Sequence, residues 1–140
     1  MHLSLCSEIR DILHANKGQF AIPFDYQAAA AVRVTRKELF NSPMCFIRPF
    51  SQSTNRITRS HVLTDYEIYL QFAQTHVTDE ALWVDCIENI RDFLVNYADK
   101  ILLNYRIFDI KVEPVFSEVL LSQNAVMASG ILLTVKQVGI

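Results

Sequence analysis

The sequence predicts an α+β domain, a mainly antiparallel sheet with two helices packed on one face. Three observations carry this. In residues 65–74, Tyr66, Ile68, Leu70 and Phe72 alternate with Glu67, Tyr69, Gln71 and Ala73, the period of a strand with one apolar face. Just downstream the period lengthens. Leu82, Trp83, Cys86, Ile87, Ile90, Phe93, Leu94 and Tyr97 recur every three or four residues, with Asp79, Glu80, Asp85, Glu88, Asp92 and Asn96 between them, as on an amphipathic helix. The other apolar runs are of strand length and end at prolines or polar clusters. The element order is then α-β-β-β-α-β-β, and its hairpin-like neighbours imply antiparallel pairing.

In chain order, Leu5, Ile9, Ile12 and Leu13 give a first short helix, with Ser4 or Ser7 as its cap and Gly18 as its stop. Pro23 ends any helical run. Residues 26–34 carry four alanines, which favour helix by propensity, but Ala28, Ala30, Val32 and Val34 alternate with Gln27, Ala29, Ala31 and Arg33, and strand is preferred. Residues 35–42 read as a polar connection carrying Leu39 and Phe40, and residues 44–48 as a short strand stopped by Pro49. Residues 51–60, rich in Ser and Thr with Arg56 and Arg59, read as a long exposed loop or hairpin tip protruding from a single domain of residues 1–140. The long alternating strand follows. A turn at residues 75–77 leads to the helix at residues 79–97, with Thr78 as its N-cap. Residues 108–115 alternate up to Pro114, and residues 126–138 form a last strand in which Gly130 marks a bulge or a close approach.

At 140 residues, half of them hydrophobic and a fifth charged, the chain is long enough for one domain with a real core. A formal charge of −2 gives no general reason to expect nucleic-acid binding. Cys6, Cys45 and Cys86 are odd in number and widely spaced, which favours reduced thiols over a disulfide framework or zinc ribbon. No run is long enough to span a membrane, and the first residues lack the apolar core of a signal peptide.

Chemistry is sparse. No phosphate-cradling glycine loop, nucleophile elbow or zinc-helix motif occurs, and His2, His14, His61 and His76 never fall four apart on one element. No catalytic residue, metal site or cofactor is therefore expected. Cys45 and Cys86 sit in apolar patterns and read as packed, inert thiols. Asp65, placed just ahead of the strand proper, and Glu67 read as a solvated edge rather than an acid–base pair. Two basic groups stand out: Arg33, Arg36 and Lys37, and Arg48, Arg56 and Arg59. Their ordinary reading is a solvated surface; their functional reading is contact with phosphate or an acidic partner. Aromatic residues do not interleave with them as a stacking platform requires. The apolar surplus in residues 28–32, 102–108 and 115–121 fits either a well-filled core or an oligomer interface.

The order of these features resembles the tail-terminator (tail-completion) and related neck proteins of long-tailed bacteriophages. The resemblance rests on the opening helix with Ile9, Ile12 and Leu13, the short Cys45-Phe46-Ile47-Arg48-Pro49 strand and the arginine-bearing polar stretch 51–60. It continues through the alternating strand 65–72, the acid-led helix 79–97 and the closing run Met127-Ala128-Ser129-Gly130-Ile131-Leu132-Leu133-Thr134-Val135. It covers nearly the whole chain but rests on order, size and hydrophobic pattern, with no catalytic signature. It implies a structural virion protein, assembled in the host cytoplasm, that forms a commonly hexameric ring on the head-proximal end of the tail tube. Its partners would be other copies of itself, the tail tube protein and the head-tail connector or stopper. DNA would pass through the ring as cargo without sequence recognition. On this reading Thr54, Asn55, Arg56 and Arg59 belong to an assembly loop, and Arg33, Arg36 and Lys37 lie nearest the lumen. The competing class is a small dimeric α+β ligand-binding domain or enzyme. That class needs a deep pocket with convergent polar groups.

Overall fold

The computed structural model describes residues 2–28, 42–56, 62–75, 77–96, 105–113 and 126–137. Helix α1 (His2–Ala15) is followed by a 3-10 turn (Lys17–Gln19) and strands β1 (Asp25–Ala28), β2 (Met44–Arg56) and β3 (Val62–Thr75). Helix α2 (Glu80–Asn96), β4 (Tyr105–Val112) and β5 (Val126–Gln137) complete the expected α-β-β-β-α-β-β order. The sheet runs β1-β2-β3-β5-β4. Three of its pairings are antiparallel, and β1 joins β2 in parallel, so the sheet is mixed at one edge.

Both helices lie on the same face. One cluster contains Leu5, Ile9 and Leu13 of α1 together with Trp83, Cys86, Ile87, Ile90 and Leu94 of α2. It also contains Cys45, Ile47, Ile68, Leu70, Phe72, Met127, Ile131, Leu133 and Val135 from the sheet. Each fully buried aliphatic side chain there contributes about 1.5–3 kcal/mol through removal of apolar surface from water. The two periods read in the sequence meet in this cluster, since β3 offers every second residue and α2 every third or fourth.

Several boundaries differ from the sequence reading. Helix α1 begins at His2, so Ser4 and Ser7 lie inside it. It ends at Ala15, ahead of Gly18, and just past that end the Asn16 backbone N–H and side-chain Nδ2 both donate to the Ile12 carbonyl. The N-cap of α2 is Asp79 rather than Thr78: its Oδ1 accepts from the Leu82 N–H at 3.0 Å, and its carboxylate suits the positive helix end. Strand β1 is described only over Asp25–Ala28; the rest of 26–34 and the connection with Leu39 and Phe40 fall outside the described residues. Strand β4 starts at Tyr105, earlier than its alternation suggests.

Pro49 does not stop β2. Pro49 stands opposite Ile68 of β3, and the strand runs on to Arg56. The pairing with β3 absorbs the irregularity as a one-residue register shift between Pro49 and Ser51. Residues 51–56 then continue β2 instead of forming the first half of a loop.

A buried hydrogen bond fixes α2 on the sheet. Trp83 Nε1 donates to Ser129 Oγ of β5 at 2.8 Å. Ser129→Ala should therefore cost about 1–3 kcal/mol by stranding the indole N–H. Ile90, fully buried, should cost about 2–5 kcal/mol as Ile90→Ala. Urea denaturation of each variant checks both values, and a variant as stable as the parent would contradict the packing described here.

Candidate functional site

The face of the sheet turned away from the helices holds the least ordinary chemistry. Arg48 of β2 stands opposite Tyr69 of β3, and its guanidinium carbon lies 5.0 Å from the Tyr69 ring centroid. Phe50, in the register shift of β2, approaches the same ring at 5.9 Å and is 55% exposed. Tyr69 leans diagonally across β5 over Gly130, where any Cβ would collide with the phenol ring. Its Oη donates to the Glu113 carbonyl at 3.3 Å, while the Glu113 N–H donates to the Gly130 carbonyl at 2.9 Å. Gly130 thus marks a close approach rather than a bulge. Burial pushes the Tyr69 phenol up, Arg48 opposes this and Glu113 adds to it.

Phe50, Tyr69, Glu113 and Leu132 line an open recess of about 320 Å³. The Glu113 carboxylate forms an exposed ion pair with Lys111 at 2.8 Å. Beside the recess, Ser51 Oγ donates to Glu67 at 2.8 Å. Asp65 and Glu67 lie within β3, the middle strand, and both are half-buried, so they do not form the solvated edge expected of them. Arg48 Nε and Asp65 Oδ1 are buried without a hydrogen-bond partner. The sequence reading missed the Arg48–Phe50–Tyr69 group because its members interleave across strands rather than along one. The signal that finds it is register: Arg48 pairs with Tyr69, and Phe50 joins them once β2 is allowed to run through Pro49.

The expected site residues are placed as follows. Thr54 is exposed and pairs with Thr64, and the backbones of Asn55 and Arg56 pair with Leu63 and Val62. These three therefore stand on a β2–β3 ribbon instead of in a loop. Arg59, and Arg33, Arg36 and Lys37, lie outside the described residues.

A second groove, of about 500 Å³, runs between α1 and β1. Ser7, Arg10, Asp11 and His14 line its helical wall, and Asp25 and Gln27 its strand wall. Its charges are of both signs, and Arg10 is already paired with Asp11 at 2.7 Å. Among the described residues, no group of three or more His, Cys, Asp or Glu could hold a metal ion, and no helix is long and apolar enough to cross a membrane. No family model matches the chain, and no curated protein matches it.

All three cysteines are free and buried. Burial pushes the Cys6 thiol from 9.0 up to about 11, the Cys45 thiol well above its ordinary value and the Cys86 thiol upward too. Such thiols hold their protons in the folded chain after the unfolded chain has lost them. The unfolded state then binds fewer protons, and stability falls as pH rises. For Cys6 the window opens at 9.0 and closes at about 11. Denaturation midpoints should fall across that window, and less steeply in a triple Cys→Ala variant that folds. Equal slopes in the two proteins would contradict buried protonated thiols.

Proposed function

We propose that this chain is a structural ring subunit of the tail-terminator type, a virion protein at the head-proximal end of a phage tail tube. The observation that carries the reading is the β2–β3 ribbon. Its pairing continues from Ser51↔Glu67 through Thr54↔Thr64 to Arg56↔Val62. A long, polar two-stranded stretch, exposed at Ser51, Gln52, Ser53 and Thr54, is suited to reach a neighbouring subunit. The element order and the closing β5 strand fit the pattern that suggested the family. A ring closes through heterologous contacts, so each subunit presents two different patches. The ring, commonly a hexamer, would join the tail tube to the connector or stopper. Duplex DNA would slide through it, with Arg33, Arg36 and Lys37 nearest the lumen. Few phosphate contacts suit sliding, because each neutralised phosphate adds affinity and salt dependence.

The competing reading, a small dimeric ligand-binding domain or enzyme, draws on the groove between α1 and β1, whose polar walls suit a polar ligand. Cryo-electron microscopy of assembled particles separates the two. A single ring of this chain at the tail-to-head junction is the expected result. An isolated dimer with an occupied α1–β1 groove would favour the competitor.

Replacing Arg56 and Arg59 together with glutamate should leave the melting temperature nearly unchanged and stop tail or neck assembly. Full assembly with the reversed charges would remove the ribbon from the mechanism. The purified chain should also bind duplex DNA weakly and equally across sequences at physiological salt, as read by fluorescence anisotropy. Nanomolar, sequence-selective binding would refute the channel reading.

A further inference from the structure

We propose that the groove between α1 and β1 takes an extended segment of a partner protein, which adds to the sheet as a strand beside β1 and brings a lysine or arginine side chain to Asp25. The site lies apart from the β2–β3 ribbon and does not depend on the ring reading.

Register shows what the groove offers. Strand β1 ends the sheet order, with β2 on its inner side. The two pair in parallel, and the Asp25 N–H donates to the Pro43 carbonyl at 3.0 Å. Successive residues of a strand turn their N–H and C=O to opposite edges. Asp25 and Gln27 therefore address β2, while Tyr26 and Ala28 turn theirs outward, where no hydrogen bond meets them among the described residues. An edge of this kind is a template for another extended chain. Asp25, Tyr26, Gln27 and Ala28 all line the groove, although their side chains alternate between the two faces of the sheet, so the space runs along the edge itself.

The opposite wall is one stripe of α1. Ser7, Arg10, Asp11 and His14 fall three and four residues apart, on one side of the helix. Strand edge and helix stripe border about 500 Å³. Such a trough fits a main chain in extended form: the edge meets its backbone, every second side chain meets α1, and the others lie beside Asp25 and Gln27. The groove wall also holds an unpaired hydroxyl. Tyr26 is 3% exposed, and its Oη is buried without a hydrogen-bond partner, whereas buried hydroxyls are ordinarily paired. An incoming chain brings donors and acceptors to that wall.

Charge selects the side chain. Arg10 and Asp11 neutralise each other in an ion pair. Asp25 is exposed, and among the described residues its carboxylate meets only the neutral Gln27 amide, at 3.2 Å. The groove thus keeps one uncompensated negative charge, and a cationic side chain is its complement.

A random heptapeptide library on beads, probed with the purified full chain, tests this. Enriched peptides should carry lysine or arginine and, once made with a fluorescein label, should bind the chain in anisotropy titrations. Ala28→Pro removes one outward N–H at an edge position that tolerates proline, and it should weaken binding at least tenfold with the melting temperature nearly unchanged. Asp25→Lys should weaken binding at least tenfold and turn the preference toward peptides with glutamate or aspartate. Methylating alternate backbone amides of a bound peptide should abolish binding in one phase and spare it in the other, a readout that serves should Ala28→Pro fail to fold. No enrichment over beads without peptide, equal binding by folded Ala28→Pro or Asp25→Lys, or indifference to amide methylation would each overturn the inference.

Discussion

The fold depends on a set of aromatic side chains wedged between the helices and the sheet. Phe24, just ahead of β1, meets Phe72 of β3 edge-on at 4.9 Å and Trp83 of α2 edge-on at 5.3 Å. These three join the start of the edge strand, the middle strand and the second helix, and all are fully buried. Edge-to-face contacts of this kind add about 0.5–1.5 kcal/mol each beyond the area they bury. The hydrogen bond from Trp83 to Ser129 then fixes where α2 crosses β5, because an indole N–H left unpaired in that interior is costly. The single buried serine on the helix-facing side of β5 has its reason in that bond.

The sequence made legible what local periodicity controls. The alternation through Phe72 and the helical stripe through Leu94 give strand, helix and the faces that meet, and the order of elements follows. Interruptions in the pattern were harder to read. Pro49 reads locally as a terminator, and the register shift that accommodates it within β2 appears only in the β2–β3 ladder. Asp65 looked external because its charge was visible and its place in the middle strand was not. Phe24, isolated between Pro23 and Asp25, carries no period at all, so its part in the core appears only in three dimensions. The candidate site is legible to a lesser degree, since Arg48, Phe50 and Tyr69 come together through cross-strand register, which no single segment encodes.

The two faces of the sheet do different work. The helix-covered face is closed and apolar. On the other, Phe46, Ala73, Val126 and Ala128 form a small buried cluster at one end, while Phe50 stands exposed near the other. Between them Tyr69 bridges from β3 across Gly130 toward Glu113, tying the end of β4 to the middle of the sheet. A rigid floor of this kind is a better base for recognition than a loop, because its side chains are positioned by the ladder before any partner arrives.

The register shift at Phe50 gives the ribbon a parity. Up to Pro49, even-numbered positions of β2 such as Phe46 and Arg48 share the open face; beyond the shift, Ser51 and Ser53 stand opposite Glu67 and Asp65 and take that face instead. Which side of the ribbon looks toward a neighbour is therefore decided by a count of residues, not by their kinds. Loss or gain of one residue between 48 and 51 would turn the whole ribbon over relative to the sheet, leaving its composition and charge almost unchanged. Sequence drift along the ribbon is tolerable in a way that length change at its root is not.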